Sequence, residues 1–222
     1  MKFTKRLGLF AILFGVPLVF LYTLARGKNN SQDLPYFGKT EELAKVTEIK
    51  DFSFLDADSN VVNKETTKGQ TLVISTLVPS CPDKCPIIQK QLKFLVYDKL
   101  YDRPEFEGLI FLSHLLDTSG SIPNLQYFID QQRNYDFSRW KIVTGKENPI
   151  YDIDLPNANL MKSGFEMDNT VGEAYYSMIL LIDRNKKVRG LYQGNQTPQI
   201  ENLRKDLRKL FLEYKTTDKK ID

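Results

Sequence analysis

The chain has 222 residues, enough for one ordinary domain with accessory segments and tight for two. Hydrophobic residues make up 41% and charged residues 27%, the balance of a folded globular body, which sets aside a disordered chain. A net charge of +3, with basic residues alternating with acidic ones, sets aside nucleic acid as a partner.

Lys2, Lys5 and Arg6 precede a run from Leu7 to Ala25, LGLFAILFGVPLVFLYTLA, that carries no charge. About 20 apolar residues cross a hydrocarbon core, so the run is just long enough. Its exit, Tyr22-Thr23-Leu24-Ala25-Arg26, is a poor cleavage site, and no cysteine follows to accept a lipid. Pro17 is tolerated in a membrane helix. Residues 1–26 therefore read as an uncleaved transmembrane anchor. Three basic residues precede the span, while Arg26 and Lys28 follow it closely, which favours an inside N-terminus. The body is then expected on the periplasmic or equivalent extracytoplasmic side, where disulfides persist.

Residues 27–47 are a polar, turn-rich tether, 48–214 the body, and 215–222 a polar C-terminal tail. Phe52–Leu55 with Asp56–Asn60 reads as a small hairpin ahead of the core. Thr71–Val78 is a continuous β-branched run of the kind that is buried on both faces. From Pro86, the spacing of Ile88, Leu92 and Leu95 is helical. Gly108–Ser113 is a second buried strand, and Ser121–Arg133 a helix with Leu125, Phe128 and Ile129 inward. Trp140–Val143 and Ser177–Ile182 read as strands. Asp183–Lys186 turns the latter into Val188–Tyr192, and a last helix carries Ile200, Leu203, Leu207, Leu210 and Tyr214. Its basic residues Arg204, Lys205, Arg208 and Lys209 form a solvated face. This order predicts one α/β layer structure with a parallel pair and an antiparallel pair of strands.

The only two cysteines, Cys81 and Cys85, stand in SCPDKCP between the first core strand and the first core helix. Sites in open α/β sheets collect beyond the carboxyl ends of strands, and a helix N-terminus favours thiolate over thiol. Each cysteine precedes proline and is pushed away from helical dihedrals, so Pro86 takes the first helical position with Cys85 just outside. Spacing alone leaves the pair open between a disulfide, which needs Cβ atoms about 3.5–4.5 Å apart, and a Cu(I) site of two soft thiolates. Zinc lacks the further cysteines and histidines of its usual tetrahedral set. Asp83 and Lys84 can tune the thiols in opposite directions or remain plain loop charges.

C-P-D-K-C-P after a β-branched strand resembles the C-P-x-x-C-P motif of the Sco/SenC family. Lys50–Phe54 is similar to that family's opening hairpin, and Ile182–Gly190 to its late hairpin. The likeness covers roughly residues 48–213. It implies a thioredoxin-like fold, a mixed central sheet flanked by helices, behind a single membrane helix. It also implies Cu(I) or Cu(II) held by two cysteines and a histidine, and a part in building the copper centre of cytochrome c oxidase. Some relatives are instead thiol–disulfide reductants. Cys81 and Cys85 carry over directly. The family histidine does not: Ala174-Tyr175-Tyr176-Ser177 stands where His-Ser is expected, with Tyr176 in its place. His114, the chain's one histidine, is the candidate third copper ligand, expected just after the second buried strand on the cysteine side. Met161, Met167 and Met178 are further soft candidates.

Three readings follow. In the first, the protein handles copper, thiols or both in assembly of a respiratory copper oxidase, its partner being the oxidase's copper-centre subunit or a thiol protein. In the second it is a thiol–disulfide oxidoreductase, with Cys85 attacking and Cys81 resolving. In the third the cysteines form a static bridge in a binding module.

Overall fold

In a computed structural model, residues 13–22, 34, 49, 51–77, 85–115, 138–145 and 177–219 are described. The chain divides into two units, Met1–Asp33 and Leu34–Asp222. Within the first, residues 13–22 are helical (α1), and Leu13, Phe14, Val16, Leu18, Val19, Phe20, Leu21 and Tyr22 are all exposed. Among the described residues, no helix is long and apolar enough to cross a membrane. The run Leu7–Ala25 extends beyond the described residues at both ends.

In the second unit, seven strands form one sheet. They are β1 (Ser53–Asp56), β2 (Val61–Asn63), β3 (Thr71–Leu77), β4 (Leu109–Leu115), β5 (Trp140–Thr144), β6 (Met178–Ile182) and β7 (Val188–Gln193). The order across the sheet is β2-β1-β5-β4-β3-β6-β7. β3, β4 and β5 run parallel to one another, while β6, β7, β1 and β2 pair antiparallel. The early hairpin does not stand apart from the core. It joins the sheet through β1 and β5, where Leu55 faces Thr144 and Asp56 faces Val143.

β3, β4 and β6 are buried along their whole lengths, which is why they are written as unbroken apolar runs. Odd-numbered side chains such as Val73, Phe111, Ile179 and Leu181 face the helices. Even-numbered ones such as Leu72, Ile74, Leu112 and Leu180 form the opposite core with Phe52 and Phe54. On the helical side lie α2 (Cys85–Leu92) and α3 (Thr197–Asp218). α2 continues through a π-helical stretch, Lys93–Tyr97, and a final turn, Asp98–Leu100. α3 buries Ile200, Leu203, Leu207 and Leu210, as its spacing predicts, with Phe211 beside them, while Tyr214, the fifth residue of the expected stripe, is partly buried. Tyr214 near its end ties the helix to the sheet: its hydroxyl lies 3.0 Å from Thr71 Oγ1 and accepts the Arg184 N–H at 3.1 Å.

The β6–β7 turn and the approach to β3 are held by charge. Arg189 is buried and binds Glu213 at 2.7 Å, Asp183 at 3.4 Å and the carbonyl of Leu34. The buried Leu34 thus fixes where the chain enters this unit. Lys186, in a left-handed turn conformation (φ 63°), sends its ammonium to the carbonyls of Thr67 and Gln70. The expected helix Ser121–Arg133 lies outside the described residues.

Candidate thiol and metal site

β3 ends at Leu77 and α2 begins at Cys85, so the segment carrying Cys81 spans the gap between a buried strand and a helix start. Cys81 lies outside the described residues, as do Tyr176, Met161 and Met167. The helix starts at Cys85, one residue earlier than the residue-before-proline preference suggests. What places Cys85 is the packing of the turn that follows. Ile88 and Leu92 are buried in the helix-side core, with Gln89 buried beside them. Gly194, just after β7, approaches this turn so closely that a Cβ there would stand 2.6 Å from Ile88 Cγ2.

Beneath the first turns of α2 lies a group of buried polar side chains. Gln89 Nε2 donates to Ser75 Oγ at 3.3 Å, and Ser113 Oγ donates to Gln89 Oε1 at 3.1 Å. Ser75 and Ser113 hydroxyls are 3.0 Å apart, and Trp140 Nε1 donates to Ser113 Oγ at 2.8 Å. Sequence reading passed over this group. Its signal is a serine inside each of two apolar runs, TLVISTL and LIFLSHL, at positions that prove to be register partners.

His114 does not follow the second buried strand. It lies inside β4, because the apolar run continues through Leu115. The parallel register puts Leu77, Leu115 and Thr144 at one edge of the sheet, so His114 is at the end of the sheet where α2 begins. Its face is the other one. Ser113 points towards α2, and His114 alternates away from it, stacking on Phe54 with ring centroids 4.6 Å apart. The side chain is 1% exposed. A carbonyl can only accept, so Nε2, 3.0 Å from Gly145 O, carries the proton. Nδ1 then holds the lone pair, and among the described residues it has no hydrogen-bond partner. Burial pushes the ring's pKa down to about 4, against a smaller opposing effect of the Gly145 carbonyl. His114 is therefore a neutral imidazole, protonated on the nitrogen bound to backbone, which is the tautomer of many metal-bound histidines. The buried hydroxyl of its register partner Thr76 also has no hydrogen-bond partner among the described residues. Met178 is buried in the core of this same face. Among the described residues, no group of three or more His, Cys, Asp or Glu side chains could hold a metal.

Three parallel strands, an antiparallel β6–β7 pair, a helix after β3 and a closing helix against the same face make a thioredoxin-like α/β fold. No family model matches the chain, and no curated protein matches it. Solved structures do. A SCO1/SenC family lipoprotein from Bacillus anthracis aligns with a TM-score of 0.55 and 21% identity, over 75% of this chain and 96% of its own. BsSco, a member of the Sco family of cytochrome c oxidase assembly proteins in which a disulfide switch was identified, aligns with a TM-score of 0.55 and 22% identity. That alignment covers 75% of this chain and 95% of BsSco. The fold of this chain is that of Sco/SenC proteins, in agreement with the likeness that the Cys81–Cys85 motif carries.

Proposed function

We propose that this chain is a membrane-anchored, Sco/SenC-like protein that handles copper and thiols through Cys81 and Cys85 in assembly of a respiratory copper oxidase. The observation that carries it is the position of the cysteine pair, between the end of β3 and the first turn of α2, in a fold shared with Sco/SenC proteins. Two thiolates, one of them at a helix N-terminus, are soft donors suited to Cu(I) as cargo. His114 enters the ligand set only through Nδ1, the nitrogen with no hydrogen-bond partner among the described residues. Its burial on the far face makes the dithiolate the minimal set, completed by the partner's own donors during transfer. The uncharged run Leu7–Ala25 and the exposed apolar side chains of α1 support an N-terminal anchor, with the body on the periplasmic or equivalent side.

A second reading is favoured by the seclusion of His114 and by the disulfide switch of BsSco. The protein is then a dithiol reductant. The Cys85 thiolate attacks a partner disulfide, forming a mixed disulfide and releasing one partner thiolate. The Cys81 thiolate then attacks the Cys85 sulfur and releases the second. Two electrons pass to the partner, and the pair becomes a disulfide.

The deciding experiment is an anaerobic titration of the reduced full chain in detergent with Cu(I) against a competing chelator, beside Cys81→Ser, Cys85→Ser and His114→Ala. One-to-one binding lost in both cysteine variants supports copper handling. A further loss in His114→Ala makes His114 the third ligand. A parent that does not hold Cu(I) but reduces a protein disulfide leaves the second reading.

A further inference from the structure

The buried polar group under α2 closes on itself. Ser113 has one hydroxyl hydrogen, and it goes to Gln89 Oε1 at 3.1 Å. The 3.0 Å contact between the serines is therefore donated by Ser75. Gln89 Nε2 returns the direction to Ser75 Oγ at 3.3 Å, completing a ring in which each member both donates and accepts. Trp140 Nε1 takes the second lone pair of Ser113 at 2.8 Å. All four residues are 4% exposed or less, so these groups are shielded from bulk solvent. Such a ring fixes the orientation of the Gln89 amide and, through it, the rotation of the helix turn it stands on. Cys85 stands one turn before Gln89 on that helix.

Apolar packing alone would hold α2 against the sheet, as Ile88 and Leu92 already do. A slot of apolar side chains tolerates small rotations and slides, whereas hydrogen bonds are directional and unmade ones in a dry site are costly. We infer that Gln89, held by Ser75 and by Ser113, which Trp140 fixes in turn, is a positioning residue that sets the placement of Cys85 at the start of α2, and so the reactivity of its thiolate. The inference rests on the proposed function only for what that thiol is used for; the placement itself is tested without it.

In the full chain carrying Cys81→Ser, one thiol remains, and its rate of alkylation by iodoacetamide across pH reports the thiolate directly. Adding Gln89→Met removes the ring's amide at similar volume and is expected to change the Cys85 alkylation rate at fixed pH by fivefold or more. In the two-cysteine chain, the same substitution is expected to move the equilibrium with a glutathione redox buffer about tenfold, about 30 mV for a two-electron couple. Gln89→Glu is the internal control and the substitute should Gln89→Met fail to fold. A protonated carboxyl donates to Ser75 and accepts from Ser113 as the amide does, so at low pH this variant matches the parent. Once ionised it can only accept, and its ratio to the parent then departs with rising pH. Alkylation unchanged within twofold in a folded Gln89→Met chain, or a Gln89→Glu ratio flat with pH, overturns the positioning role. A thiol that responds to Gln89 in a chain that neither holds Cu(I) nor exchanges with glutathione upholds that role and removes the proposed function instead.

Discussion

The rings of Phe54 and His114 lie against each other, 4.6 Å between centroids and 29° between planes, across the junction of β1 with the parallel strands. Burial, not the stacking, keeps the imidazole neutral, holding its pKa at about 4, below the ordinary 6.5. Between those values the unfolded chain binds a proton that the folded protein refuses. Stability from this group is therefore complete above pH 6.5 and is lost progressively as pH falls to about 4. The loss is on the order of 3 kcal/mol, from about 1.4 kcal/mol per pH unit. Urea unfolding at about pH 7 and about pH 4.5 should show this extra acid sensitivity in the parent and not in His114→Phe. Equal slopes in the two proteins would overturn the assignment.

Asp56 organises the β1–β2 turn. Its carboxylate accepts the N–H groups of Asn60 at 2.9 Å and Asp58 at 3.1 Å, and pairs with Lys141 at 3.1 Å. Burial alone would raise its pKa, but the Asn60 N–H and Lys141 outweigh it and hold the carboxyl below its usual range. Asp56→Ala should cost on the order of 2 kcal/mol, seen as a lower urea midpoint with an unchanged slope.

Arg189 joins β7, α3 and the point where the chain enters the domain. Replacement by methionine would leave Asp183, whose side chain is 1% exposed, as a buried carboxylate and Glu213 as a half-buried one, both without the Arg189 charge. The expected cost is about 3–5 kcal/mol, measured by chemical unfolding. A loss below 1 kcal/mol would mean that the carboxylates find other partners.

Gly194 is required by space. A Cβ there would meet Ile88 Cγ2 at 2.6 Å and the Ser177 carbonyl oxygen at 2.9 Å. The methyl group can be displaced by a rotamer change but the carbonyl cannot. Gly194→Ala should destabilise by about 1–3 kcal/mol and, by pushing on α2, alter Cys85 alkylation in the Cys81→Ser chain. Native alkylation in a destabilised variant would show that the strain is taken up in β7 instead.

The proposed anchor makes a separate prediction. The full chain should fractionate with membranes and resist extraction by salt or carbonate. A chain starting after residue 26 should be released. Accessibility of the body to added protease in spheroplasts tests the side of the membrane.

The strands and the closing helix were legible in the sequence because burial on both faces demands unbroken apolar runs, and burial of one helix stripe demands three- and four-residue spacing. The place of the cysteine pair, after β3 and at the start of α2, was legible too, since a unique pair beside prolines between an apolar run and a helical spacing is a local pattern. Three things were not. That the early hairpin joins the main sheet depends on β1 meeting β5, a pairing of segments nearly ninety positions apart, as in Leu55 with Thr144. The face of His114 depends on strand parity: once β4 extends through Leu115, Ser113 faces α2 and His114 faces Phe54. The ring of Gln89, Ser75 and Ser113 exists only because β3 and β4 pair in register, bringing two unremarked serines to 3.0 Å beneath a helix. Periodicity is a property of the local chain and is written in it, whereas register and face are set when separated segments meet, and only the tertiary structure decides them.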